Sequence, residues 1–425
     1  MRTKTSEISG WGRYPVQSCN LMRPEKYADL HAYTDSCIAR GQGRSYGDAS
    51  LNHDHAVILT EKLNRFIRFD QKTGIITAEA GLALIDLLTV IVPAGWFVPV
   101  TPGTQFVSLG GCVAADVHGK NHHRVGSFGQ HALNLKLILA DGSHITCSPS
   151  ENTEIFFATV GGMGLTGIIG EVTLQLIPIK SQFMAVQHHA VTDLAEMGIY
   201  DDDYSVTWLD TERERGIVMT AHHADGSLKL NADKNKTGLR PPSFLLNHYS
   251  IRLFNYLYFQ KNSRKSNFSS DYKPYFYPLD KITDWNKMYG KQGFVQYQCV
   301  FPKQAALIGI HEILKIMKKN NTVSFLSVLK RLGKSSGGLL SFPMEGLTLA
   351  MDIAFNSSTL KLLKEFDQIV LAHQGRVYLA KDACLSPESF RAMYPQYEKF
   401  AEIKHKIDPQ NIFSSSLSKR LQIGN

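Results

Sequence analysis

Two periods of hydrophobic and polar residues alternate along this chain. Residues 168–177 repeat every second position: Val172, Leu174 and Leu176 fall on one side, Glu171, Thr173 and Gln175 on the other, which predicts a half-buried strand. Residues 56–60, 74–80, 294–301, 323–330 and 348–355 also read as strands. Residues 133–140 and 143–147 flank Asp141-Gly142 and predict a hairpin. Residues 82–92 carry apolar side chains at helical spacing and stop at Pro93; 304–318 and 358–373 are the other predicted helices. Gly375 opens a predicted strand that closes on Lys381, and residues 407–413 predict a capped turn after a helix. Between 222 and 275 the pattern yields to polar and basic clusters (Lys229, Lys234, Lys236, Arg240, Lys261, Arg264, Lys265). These surround an aromatic run, 244–259, in which Leu246, Tyr249, Leu253 and Leu257 share one helical face.

A length of 425 residues exceeds one comfortable core and predicts two packed domains. Hydrophobic residues make up 43% and charged residues 20%, the balance of an ordinary globular protein. The formal charge of +8 favours anionic partners: phosphates, acidic lipid headgroups or nucleic acid. No nucleic-acid-binding module accompanies the charge. The six cysteines include no C-x-x-C pair, which argues against a zinc site or disulfide framework and fits a reducing compartment. The start lacks the apolar core of a signal peptide, and no apolar run is long enough to span a bilayer. The expected location is therefore the cytoplasm or the inner face of the cytoplasmic membrane, not the exterior.

The densest chemistry lies in the first third. Thr101-Pro-Gly-Thr104, Gly110-Gly111, His118-Gly-Lys-Asn-His-His123 and Gly126-Ser-Phe-Gly129 place side-chain-free backbone beside a block of imidazole and ammonium groups. Glycines let main-chain N–H groups approach a bulky anion. Arg40-Gly-Gln-Gly-Arg-Ser-Tyr-Gly-Asp48 offers a second loop that either wraps a diphosphate or is a plain turn. Gly162-Met-Gly-Leu-Thr-Gly167 matches G-x-G-x-x-G but leads into the period-two segment, so the helix a nicotinamide fingerprint requires is missing. The His118–His123 block admits a metal site, a cationic pocket or a hydrogen-bonded loop; Lys120 in its midst and the lack of a carboxylate partner disfavour metal. Lys381 reads as a cation reaching into a cleft or as a solvated one. The aromatic run with Lys261, Arg264 and Lys265 reads as an interfacial helix at an anionic membrane or as a core or lid helix.

These segments, in this order, resemble the flavin-dependent oxidases of the vanillyl-alcohol-oxidase/p-cresol-methylhydroxylase fold, and within them the decaprenylphosphoryl-β-D-ribose 2′-oxidases. The likeness rests on Gly10-Trp-Gly-Arg13, Arg44-Ser-Tyr-Gly-Asp48, Val98-Pro-Val-Thr-Pro-Gly-Thr104, Gly110-Gly111, His118–His123, Gly126-Ser-Phe-Gly129, Ala158-Thr-Val-Gly-Gly162 and Gly164-Leu-Thr-Gly-Ile-Ile169. It continues through Phe294-Val-Gln-Tyr-Gln298, Ser341-Phe-Pro343, Tyr378-Leu-Ala-Lys-Asp382 and Met393-Tyr-Pro395, and is weakest between about 180 and 275. The implied fold is α+β: a two-subdomain FAD-binding domain of the vanillyl-alcohol-oxidase type with an α+β substrate domain. The expected division is 1–179 for FAD, 180–374 for substrate with a mobile loop at 222–279, and 375–425 returning to the FAD domain.

The resemblance also implies roles. Gly41, Gly43, Arg44, Ser45, Tyr46 and Gly47 would form the first FAD loop; Pro102, Gly103, Thr104, Gly110 and Gly111 would cradle the diphosphate. His118, Gly119, Lys120, Asn121 and His122 would run past the flavin, with Ile168 near the adenine and Tyr378 near the ring. Gln296, Gln298, Lys330, Lys120 and Lys381 would bind substrate. Lys381, Lys120 and His118 would be catalytic, the lysines holding the hydroxyl and developing charge, His118 orienting the sugar or taking its proton. Relatives with covalent FAD carry a histidine where this chain has Arg44, so non-covalent FAD is expected, and no metal. The implied reaction is oxidation of a secondary hydroxyl on a lipid-linked phosphosugar, polyprenyl-phosphoryl ribose, toward the arabinan precursors of a cell wall. Implied partners are a short-chain NAD(P)H-dependent reductase completing the epimerisation, a quinone or other electron acceptor, and a membrane surface. Ala350 departs from the cysteine of mycobacterial members, and the aromatic segment before Pro278 is rearranged; both lie on the substrate side. An aldonolactone or alditol oxidase of the same fold, and a flavin-free membrane-associated phosphosugar-binding protein, are the alternatives.

Overall fold

The computed structural model describes residues 3–226, 248–265 and 267–424. Three sheets dominate it. Thr3–Ser9, Val16–Met22, Ala56–Leu59 and Cys37–Arg40 form a four-stranded sheet in that order, antiparallel at the first pair and parallel after it. Phe66–Asp70, Ile75–Glu79, Ile168–Gln175, Ala132–Ile138 and His144–Cys147 form an antiparallel five-stranded sheet. The third has eight strands, ordered Asn267–Asp271, Phe183–Val191, Arg215–His223, Tyr204–Asp210, Ser327–Leu332, Gly346–Ala354, Phe294–Pro302 and Arg376–Val377. Its pairings are all antiparallel. The fold is thus α+β, with helices packed on mainly antiparallel sheets.

Within the eight-stranded sheet the strands Phe294–Pro302 and Gly346–Ala354 are buried on both faces, which explains the nearly unbroken apolar runs at 294–301 and 348–355. Tyr297, Cys299 and Phe301 face the helices Ala306–Lys319 and Thr359–Ala372. There Tyr297 donates to Asp367 at 2.9 Å and Phe301 packs under Gly309. The alternate residues, Gln296 and Gln298, face the other way. Register carries that second face across the sheet: Gln296 opposes Asp352, Gln298 opposes Ala350, Ala350 opposes Val328, Thr348 opposes Lys330 and Val328 opposes Trp208. This row floors the site.

Several expectations shift. The strand expected to end on Lys381 pairs only over Arg376–Val377. Tyr378 N–H still bonds the Gln298 carbonyl, but Lys381 N–H then closes a turn onto Tyr378, so the lysine sits on a turn aimed inward. The strand expected at 323–330 begins only at Ser327. The alternation at 168–177 holds for Val172, Leu174 and Leu176, yet Thr173 is buried too, its hydroxyl 2.9 Å from that of Thr77 on the neighbouring strand. Within the segment 222–279, the described residues include regular structure. His248–Asn262 is a helix, Asn267–Asp271 an edge strand paired to Phe183–Val191, and Tyr272–Phe276 a short helix burying Tyr272, Tyr275 and Phe276. Lys229, Lys234, Lys236, Arg240, Phe244 and Leu246 lie outside the described residues. The C-terminal segment returns to the first sheet. Cys37 bridges Phe413, and Arg420 bonds both Asp48 and Asp382.

Candidate active site

A cavity of about 590 Å³ runs between the two smaller sheets and the floor just described. One arm is lined by backbone: Gly41, Gly43, Ser45, Pro102, Gly103, Thr104, Gly110, Gly111, Gly164 and Gly167. Gly43 sits at φ +61°, a left-handed conformation that glycine adopts without penalty. A Cβ built on Gly103 meets nothing within 4 Å, so this glycine keeps open space beside the chain. Arg44 closes the arm. Its guanidinium lies 3.8 Å from the Trp11 ring centroid and donates to the Phe106 carbonyl at 3.1 Å.

The middle is cationic. Lys120, Lys330 and Lys381 line it as half-buried residues, with buried His118 among them. Lys381 Nζ stands 3.6 Å from the Tyr46 ring centroid. Lys120 Nζ stands 4.0 Å from the Tyr275 centroid and donates to that residue's carbonyl. Enclosure away from water pushes Lys120 down to about 7, with Lys330 adding repulsion. Lys381 also falls to about 7 by enclosure, though Asp352 opposes the fall. Enclosure brings Lys330 to about 8. His118 is driven well below its ordinary range by burial and then by Lys330, His122 and Lys381, so its ring is neutral. Gln298 Nε2 lies 2.9 Å from His118 Nε2, and Gln296 Nε2 donates to Asp352 Oδ1 at 2.5 Å.

The far end is apolar: Val206, Trp208, Met219, Phe254, Tyr258, Phe325 and Val328. Tyr258 and Phe254, from the helix His248–Asn262, pack on Trp208 (4.6 Å) and Phe325 (5.3 Å).

The structure therefore gathers at one cavity Gly41, Gly43, Arg44, Ser45, Tyr46, Pro102, Gly103, Thr104, Gly110, Gly111, His118, Gly119, Lys120, Gln296, Gln298, Lys330, Tyr378 and Lys381. Four expected residues stand outside it. Gly47 packs against the C-terminal segment, where a Cβ would strike the Asp382 carbonyl at 1.7 Å. Asn121 is buried and donates to the Pro99 carbonyl at 2.8 Å. His122 accepts from Gly333 N–H at 3.0 Å, tying its loop to the strand Ser327–Leu332. Ile168 is buried in the apolar cluster with Ile58, Ile138 and Phe413, while its neighbour Ile169, on the opposite face of the strand, lines the cavity. Sequence reasoning missed Trp208 and Met219, while Tyr258 falls in the aromatic run 244–259. The signal for Trp208 was its seven-residue strand, Tyr204–Asp210, rich in aromatic and β-branched residues.

A glycine-lined arm ending at lysines and an arginine suits an elongated anionic dinucleotide, and the volume falls within the range of ligand pockets, about 300–1,000 Å³. Residues 27–148 match the FAD binding domain family, and residues 297–421 match the D-arabinono-1,4-lactone oxidase family. The fold and site are those of an FAD-dependent oxidoreductase acting on CH–OH groups. The chain is 32% identical to decaprenylphosphoryl-beta-D-ribose oxidase of Mycolicibacterium smegmatis, over 99% of this chain and 98% of that protein. It belongs to the decaprenylphosphoryl-β-D-ribose oxidase family. L-gulonolactone oxidase of Mus musculus is 24% identical over 90% of this chain and 88% of its own length.

Proposed function

We propose that this protein oxidises a secondary hydroxyl of a polyprenyl-phosphoryl ribose to the keto sugar, the first half of epimerisation to the arabinose form. One observation carries the reading: Lys120, Lys330 and Lys381 cluster where the glycine-lined arm meets an apolar end. Cations at that junction suit a sugar phosphate, and the apolar end suits the lipid beside it. FAD supplies the hydride acceptor when bound. Arg44 takes the place of the histidine used for covalent attachment, which supports non-covalent binding.

The chain's own groups handle the proton and the charge. Lys381, held near its midpoint at neutral pH, takes the hydroxyl proton at Nζ as the neutral amine. Lys120 and Lys330 hold the phosphate and the oxyanion. Gln298 occupies Nε2 of His118, so His118 orients the sugar.

Among the described residues no helix is long and apolar enough to cross a membrane. The helix His248–Asn262 exposes Tyr249, Leu253, Tyr256 and Leu257, and Lys261, Arg264 and Lys265 follow. That combination supports contact with an anionic bilayer from which the substrate is drawn. A short-chain reductase and a quinone or other acceptor complete the proposed cycle.

The lactone-oxidase match over 297–421 supports a second reading, oxidation of a free aldonolactone or alditol. Anaerobic flavin bleaching separates the two. Polyprenyl-phosphoryl ribose is expected to bleach the flavin rapidly; bleaching by free alditols and lactones alone would overturn the first reading. The FAD-domain match sets aside a flavin-free binding protein.

A further inference from the structure

We propose that Asp352 is a positioning residue of this site, fixing the Gln296 amide from the opposite strand and standing as the buried counter-charge to Lys381. The proposal rests on the reading of Lys381 as the residue that handles the hydroxyl proton. Its geometry begins in the sheet, where Asp352 and Gln296 are direct cross-strand partners on the cavity face. Oδ1 accepts from Gln296 Nε2 at 2.5 Å. Gln296 and Tyr46 both line the cavity, and the Tyr46 ring carries Lys381 Nζ at 3.6 Å. Asp352 thus holds Gln296 and Tyr46 holds Lys381 on the same cavity, and Asp352 and Lys381 attract each other.

Asp352 is fully buried, and its Oδ2 has no hydrogen-bond partner among the described residues. A buried carboxylate oxygen left unpaired is costly unless a charge compensates it. The groups facing it are few. Tyr46 comes from the first loop, Tyr289 from the turn Trp285–Tyr289 with its hydroxyl also unpartnered, and Lys381 from the C-terminal turn. Lys381 is the cation among them. Burial raises Asp352 to about 7 and enclosure lowers Lys381 to about 7, so their mutual attraction decides whether the pair carries charge near neutrality. Without the carboxylate, enclosure and Lys330 both act to discharge Lys381.

The test is the Lys381 titration in the FAD-loaded protein without substrate, followed by lysine side-chain NMR and assigned with Lys381→Met. Asp352→Asn is expected to lower the Lys381 midpoint by about one pH unit or more, while Asp352→Glu restores it. An unmoved midpoint overturns the proposal, because a merely structural role would lower FAD content or melting temperature and leave the midpoint alone. If Asp352→Asn does not fold, Lys381→Met serves. The carboxylic-acid band of Asp352 in infrared spectra is then expected to persist to higher pH, and an unshifted band overturns the proposal. Neither readout uses the sugar, so failure of the substrate assignment leaves both intact, and flavin bleaching with an unmoved midpoint sinks the Asp352 role alone.

Discussion

Gln298 Nε2 lies 2.9 Å from His118 Nε2, and this contact fixes where the histidine carries its proton. Thr348 sets the direction. Its hydroxyl donates to the Cys299 carbonyl at 2.8 Å, so its oxygen must accept from Gln298 Nε2, 3.1 Å away. The amide nitrogen therefore stands between Thr348 and His118, and its second hydrogen goes to the ring. His118 is left with its proton on Nδ1, as a neutral donor.

Removing the acceptor at Thr348 should release this arrangement. Thr348→Val keeps the shape of the side chain but frees the Gln298 amide to rotate. One neutral hydrogen bond is worth about 0.5–1.5 kcal/mol, so flavin reduction is expected to slow about two- to thirteenfold with FAD content unchanged. Stopped-flow reduction and the ring nitrogen shifts of His118 check this together. Unaltered rates and shifts would remove any role for the tautomer.

The lysines make stability depend on pH. Lys120 and Lys381 are lowered to about 7 in the folded protein and Lys330 to about 8, against an ordinary value of 10.5. Between these values the unfolded chain binds more protons, so these groups make stability rise as pH climbs from about 7 toward 10.5. Asp352 acts in the opposite sense and lower window: raised from 3.8 to about 7, it makes stability fall as pH rises between those values. Lys120→Met is expected to raise the melting temperature of the flavin-free protein more at pH 7 than at pH 10, and the wild-type slope should flatten once anionic ligands fill the cavity. Equal gains at both pH values would contradict the assignment of Lys120 to the enclosed cluster.

Local pattern was enough for much of the fold and for the glycine loops. The run at 294–301 announced a strand, and the period-two segment after Gly167 is the strand Ile168–Gln175 rather than a helix. Register was not legible. Nothing in the order of residues places Asp352 opposite Gln296, 56 positions away, so the acid went unnoticed beside its named partner. Motif position alone does not separate Ile168, whose side chain lies in an apolar cluster, from Ile169, which lines the cavity, because consecutive strand residues face opposite sides. Gly47, Asn121 and His122 belong to the same motifs, but their contacts hold loops to neighbouring backbone, which no motif spacing distinguishes from lining a cavity.

The apolar end of the cavity should discriminate by chain length. Trp208 forms its wall and packs on Tyr258 at 4.6 Å. Trp208→Ala is expected to raise KM about tenfold for a long polyprenyl-phosphoryl ribose, a loss of about 1.4 kcal/mol, and to change KM little for a water-soluble short-chain analogue. Steady-state kinetics on the two substrates measure the difference; equal losses on both would place the lipid elsewhere.

Membrane contact is tested on the outward face of the same helix. Leu253 and Leu257 are 58% and 56% exposed and lie outside the cavity wall, whereas Phe254 and Tyr258 one position on line it. The two faces of His248–Asn262 thus separate surface attachment from the pocket. Leu253→Glu with Leu257→Glu replaces buried apolar area at an anionic bilayer with two repelled charges. Sedimentation with vesicles containing phosphatidylglycerol is expected to show at least about a tenfold loss of binding. Turnover of a short-chain analogue in detergent-free solution should stay within about twofold of wild type, a change of about 0.4 kcal/mol. Undiminished vesicle binding by the double variant would rule this helix out as the attachment surface, and a parallel loss of turnover would show that its outward face also shapes the cavity.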